Sequence, residues 1–158
     1  MTLYLPVGPP GSGKTTMSRI MAREGQFPES AIVSPDEFRV ALSDDVRDQD
    51  CNEQVFDVVH QIVRYRLMMG RDVFLDATNL LSYEVLRTLE EVETNPEQNI
   101  ILLVPKATED VIRRRNESRK EERKRVPDEV MDLMFNRFLN FDWEIIQNHP
   151  QYDQRVFY

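Results

Sequence analysis

Gly8-Pro9-Pro10-Gly11-Ser12-Gly13-Lys14-Thr15 sets three glycines, a lysine and a hydroxyl residue at the spacing G-x-x-x-x-G-K-[ST], directly after an apolar run at residues 3–7. Each residue type has a task in holding a polyphosphate. Glycines let successive backbone N–H groups turn inward around an anion, an approach that side chains would block. Lys14 supplies a charge for the β- and γ-phosphates, and the Thr15 hydroxyl can ligate Mg²⁺. The helix expected over residues 13–24 points its positive dipole end at the same anion. The pattern predicts ATP, or another nucleoside triphosphate, held with Mg²⁺ by Gly8, Gly11, Ser12, Gly13, Lys14, Thr15 and Thr16.

Two further segments carry more polar chemistry than a turn requires. In Ser34-Pro35-Asp36-Glu37-Phe38-Arg39, Asp36 and Arg39 are three apart and share a helix face. A carboxylate there can accept the proton of an attacking hydroxyl, and a planar guanidinium can hold an anion on the acceptor. The bland alternative is a helix start capped by Ser34 or Asp36, and spacing alone does not choose between them. In Asp76-Ala77-Thr78-Asn79, Asp76 ends an apolar run and is a second candidate Mg²⁺ contact. Thr78 and Asn79 either touch the acceptor or cap the helix expected from residue 82.

Between residues 113 and 125 lie eight bases against three glutamates, a local +5 in a chain whose net charge is −8. An anion is therefore attracted to one place. Arg115 and Arg119, four apart, fall on one face of the helix expected over residues 108–122. A basic flap over residues 112–126 would supply charge during phosphate transfer; a solvated helix laced with Arg/Glu pairs is the plain alternative.

The elements that must position these residues read as strands at 3–7, 31–34, 72–76, 99–104 and, weakly, 155–158. Helices are expected over 13–24, 36–42, 51–69, 82–93, 108–122 and 127–147, with Gly70 stopping the third and Pro127 in the first turn of the last. Alternating strands and helices predict an α/β fold: a parallel sheet of about five strands, covered on both faces, in one domain of residues 1–158. In such sheets ligands sit beyond the carboxyl ends of the strands, where the three polar segments fall. The lone cysteine, Cys51, excludes an internal disulfide. With no export signal or membrane-length run in sight, a cytoplasmic protein without membrane contact is expected. His60 reads as a partly buried structural residue, His149 beside Pro150 as loop, and Trp143 as core packing.

Taken in order, the phosphate loop, Ser34-Pro35-Asp36-Glu37-Phe38-Arg39, Asp76-Ala77-Thr78-Asn79-Leu80, Arg115-Asn116-Glu117-Ser118-Arg119 and Val126-Pro127 resemble the 5′-hydroxyl kinase domain of bacteriophage-type polynucleotide kinases. These belong to the wider group of small P-loop kinases, and the resemblance spans nearly the whole chain. It implies that Lys14 and Thr15 bind ATP phosphates and Mg²⁺, and that Asp36 is the general base toward a 5′-OH. Arg39 would grip the acceptor's 3′-side phosphate with Thr78 assisting, Arg115 and Arg119 would clamp the transferring phosphate, and Val126 would lie against the acceptor base.

This sequence departs from that pattern in three ways. Thr15 stands where serine is common. The stretch after Arg119 is longer, which makes Arg123 an alternative lid residue. No Asp-x-Asp-Gly-Thr signature of a 3′-phosphatase occurs, so a kinase-only protein is expected. The implied substrate is a DNA or RNA 5′-OH end, single-stranded or overhanging, because +5 is small for binding long duplex. The same machinery would serve a kinase of a small hydroxyl metabolite or of hydroxymethylated bases in DNA. A nucleotide-binding switch would leave Asp36 and Arg39 without a task.

Overall fold

The computed structural model describes residues 1–92, 97–120 and 125–158. Five strands form one all-parallel sheet: β1 (Thr2–Pro6), β2 (Ile32–Val33), β3 (Val73–Leu75), β4 (Asn99–Val104) and β5 (Tyr152–Phe157). Their order across the sheet is β2-β3-β1-β4-β5. From the central β1 the chain goes out to one edge, returns through β3 and crosses to β4 and β5 on the other side. The loop after β1 therefore lies mid-sheet, flanked by the loops after β2 and β3.

Strand alternation sends successive side chains to opposite faces. On one face Leu3, Leu5, Val73, Leu75, Ile100 and Leu102 pack with α3 (Asn52–Met68), α4 (Ser82–Val92) and α7 (Trp143–Gln147). On the other, Tyr4, Phe74 and Leu103 pack with Met17 and Met21 of α1 (Lys14–Arg23) and with Phe27. The Tyr4, Phe27 and Phe74 rings meet at centroid distances of 5.3–6.5 Å. A small third cluster joins Ile112 of α5 (Glu109–Glu117) to Met131 and Phe135 of α6 (Asp128–Leu139). Helix α2 (Pro35–Ser43) follows β2. No helix among the described residues is long and apolar enough to cross a membrane.

Several expected boundaries move, each for a local reason. The single helix expected over 127–147 is two, because Asp142 starts a new one: its carboxylate accepts the N–H groups of Glu144 and Ile145. Pro127 stands just before α6, whose first helical residue is Asp128. Helix α5 stops at Glu117, short of residue 122, where the buried Asn116 amide turns to bind Val126. Strand β5 begins at Tyr152, earlier than the weak apolar signal at 155–158, since its early residues are polar and exposed. Gly70 does end α3: at φ 70° it lets its own N–H reach Leu67 O and that of Arg71 reach Arg66 O.

Candidate active site

The phosphate loop is held between the strand ends and α5. Its first glycine donates N–H to Thr78 O at 3.0 Å, which ties it to the β3 loop. Gly11 and Gly13 take φ of +88° and +103°, where a side chain would be strained. Gly11 is also a contact point, since a Cβ there would stand 2.6 Å from Ile112 O of α5. Gly13 lies between the Arg115 guanidinium and the Tyr158 ring, each 3.8 Å from where its Cβ would be. The N–H groups of the first turn of α1 lack helical acceptors.

Lys14 is buried, and its Nζ donates to Gly8 O (2.8 Å), Pro9 O (3.0 Å) and Ser12 Oγ (3.4 Å). Burial lowers its pKa to about 8, and Arg119 pushes the same way, while Asp76 and Asp36 oppose them. Thr15 Oγ1 donates to Asp76 Oδ2 at 2.7 Å. Burial raises the Asp76 pKa against the pull of Thr15 and Lys14. These two oxygens fit Mg²⁺, because cis ligands of an octahedral ion at about 2.1 Å lie about 3 Å apart. No group of three His, Cys, Asp or Glu side chains suited to a metal exists among the described residues.

Asp36 projects from the first turn of α2 with its side chain 65% exposed, and it is not the helix cap. Its charge acts on Lys14, Asp76 and Arg119, so it stands within electrostatic reach of the phosphate loop. Arg39 makes contacts that its spacing alone does not indicate. It is 5% exposed, with Nη1 donating to Asp36 Oδ1 at 2.8 Å and Nη2 to Asn52 Oδ1 at 2.7 Å. It therefore braces Asp36 against the start of α3. Asn52 was not legible as a partner, because nothing in its spacing links it to Arg39.

A cavity of about 820 Å³ opens beside the loop, lined by Gly11 through Thr16 together with Ile20, Lys106, Arg115, Arg119 and Tyr158 among others. Asp36, Arg39, Thr78, Asn79 and Val126 are not part of its lining. Arg115 lies on α5, whereas Arg119 follows its end in a turn, so the expected shared helix face is absent although both reach the cavity. Burial lowers the Arg119 pKa, opposed by Asp36. Arg123, the alternative lid residue, lies outside the described residues. Asn79, at φ 50°, donates from Nδ2 to Pro6 O at 2.8 Å and so fastens the β3 loop to β1. Val126 packs with the Ile112, Met131 and Phe135 cluster, its backbone clasped by Asn116. His60 bridges α3 and α4 through Glu91 and Thr88, as a structural residue would.

A family model described as an AAA domain (AAA_33) matches residues 3–140. The chain belongs to that family. Among solved structures it is similar to a gluconokinase from Sinorhizobium meliloti 1021, with a TM-score of 0.56 and 14% identity over 99% of this chain and 81% of that one. It is also similar to a protein described as a kinase from Chloroflexus aurantiacus j-10-fl, with a TM-score of 0.59 and 20% identity over 84% of this chain and 74% of that one. At these identities the likeness is one of fold. No curated relative matches the sequence.

Proposed function

We propose that this protein is an ATP-dependent kinase that phosphorylates a hydroxyl group. The observation that carries this is the phosphate loop itself, with Lys14 buried in it and Thr15 bonded to Asp76 at 2.7 Å, and Asp36 within electrostatic reach as the candidate base. The acceptor oxygen attacks the γ-phosphorus, the bond to the β–γ bridging oxygen breaks, and ADP leaves. Asp36 receives the hydroxyl proton. Lys14, Arg115 and Arg119 face the charge on the transferring group, as a basic lid would. Thr15 and Asp76 would hold Mg²⁺, which when bound neutralises charge on the phosphates.

Two acceptor classes each have a specific support. A small hydroxylated molecule, or a hydroxymethylated base in DNA, is the better supported. For the small molecule, the support is that Arg39, the cation that would grip a polynucleotide's phosphate, is buried with Nη1 on Asp36 and Nη2 on Asn52. The gluconokinase likeness leans the same way. The second reading is a kinase-only polynucleotide 5′-hydroxyl kinase acting on DNA or RNA ends. It is supported by the five motifs in order and by the +5 charge of residues 113–125.

The test offers labelled ATP to a 5′-OH oligonucleotide beside a panel of sugar acids, nucleosides and hydroxymethylated DNA. Transfer confined to the oligonucleotide end selects the second reading, and transfer confined to the other acceptors selects the first. ATP binding without transfer to any of them defeats both. Asp36→Asn is expected to cut transfer at least about a hundredfold while ATP still binds.

A further inference from the structure

The largest side chain on the cavity wall, Tyr158, has no part in the scheme above. Its backbone is fixed at both ends: the N–H donates to Val104 O at 3.0 Å and the carbonyl accepts from Lys106 N–H at 2.7 Å. These bonds bracket Pro105 and set the ring under the phosphate loop, 3.8 Å from where a Gly13 Cβ would stand. The ring also packs with the cluster of Met21, Phe27 and Leu103 and so is wedged between core and loop.

The phenol oxygen is buried, and among the described residues no acceptor meets it at hydrogen-bonding geometry. Ser12 is the side chain within hydrogen-bonding reach of it, close enough to hold its pKa down against burial though outside full hydrogen-bond geometry. Burial pushes its pKa up to about 12, so the group keeps its proton at any working pH. Ser12, itself 2% exposed, has its Oγ occupied by Lys14 Nζ at 3.4 Å, a long and weak contact. A donor is thus stored beside a hydroxyl whose present partner is the lysine that a polyphosphate recruits.

We infer that Tyr158 is a positioning residue for the donor polyphosphate: its O–H donates to Ser12 Oγ when Lys14 turns to the phosphates, and this keeps the loop in shape. The inference rests on the ATP-binding half of the proposed function and is indifferent to the acceptor.

Tyr158→Phe removes the donor and leaves the ring, while Tyr158→Ala removes both. Calorimetric titration of both variants and the unaltered protein with MgATP, and separately with tripolyphosphate, reads the effect. For Tyr158→Phe the expected result is a roughly fivefold rise in Kd for both ligands, the scale of one hydrogen bond, at an unchanged unfolding midpoint. Tyr158→Ala is expected to weaken binding further.

Equal Kd values for Tyr158→Phe and the unaltered protein would overturn the inference. So would a change seen with MgATP and absent with tripolyphosphate, which would place the effect on the nucleoside instead of the loop. If the unaltered protein binds neither ligand, the donor reading itself fails and the inference falls with it.

Discussion

Lys14 makes the phosphate grip sensitive to pH. Its folded pKa of about 8 is below the ordinary lysine value of 10.5 because it is buried. Above about pH 8 the ammonium is lost and with it the charge offered to a phosphate, so MgATP binding is expected to weaken between pH 7 and 9, as titration at both values would read. The fold responds in the opposite sense. Between about 8 and 10.5 the unfolded chain holds a proton that the folded one has released, so this group's contribution to stability rises with pH. Arg39 and Asn52 form a brace for Asp36. Asn52→Ala is expected to lower kcat several-fold through a less fixed Asp36 while the Kd for MgATP stays unchanged. A loss confined to ATP binding would remove the brace from the account.

At the scale of elements, the loop and α5 are joined through a backbone contact, since Ile112 O fills the space where a Gly11 side chain would sit. Gly11→Ala must push α5 away and adopt a strained φ of +88°; a loss of at least about 1 kcal/mol is expected, with weakened nucleotide binding, readable by denaturant melts. Asn116 does the equivalent work at the far end of α5, where its buried amide both donates to and accepts from Val126. Asn116→Ala is expected to cost about 1–3 kcal/mol by leaving those backbone groups unpaired. Much of this architecture was legible beforehand. The strands beneath the three polar loops alternate or run apolar, and Gly70 marks a helix end by its freedom at positive φ. Two kinds of feature were not legible. Side-chain pairings across elements, such as Arg39 to Asn52, leave no trace in spacing, and the break at Asp142 competes with an apolar pattern that continues through it. Periodicity puts Arg119 on a helix face, since it does not reveal where the Asn116 clasp stops the helix.

For the molecule as a whole, ligand binding should appear as stability. Mass action predicts that MgATP at a hundred times its Kd adds about 2.7 kcal/mol to unfolding, seen as a raised melting temperature. Salt would separate nucleic-acid from small-molecule acceptors at this scale too: steep loss of acceptor affinity with added salt marks a 5′-OH end or a hydroxymethylated base in DNA, and a shallow dependence marks a small metabolite. Trp143, the chain's single tryptophan, decides how such experiments can be watched. Its ring lies 4.4 Å from that of Phe141 with the Arg155 guanidinium 4.9 Å above it, in the layer of α7 and away from the cavity lining. Tryptophan fluorescence will therefore register when the core opens and stay silent as a nucleotide arrives, so occupancy has to be followed with a labelled ligand or by heat.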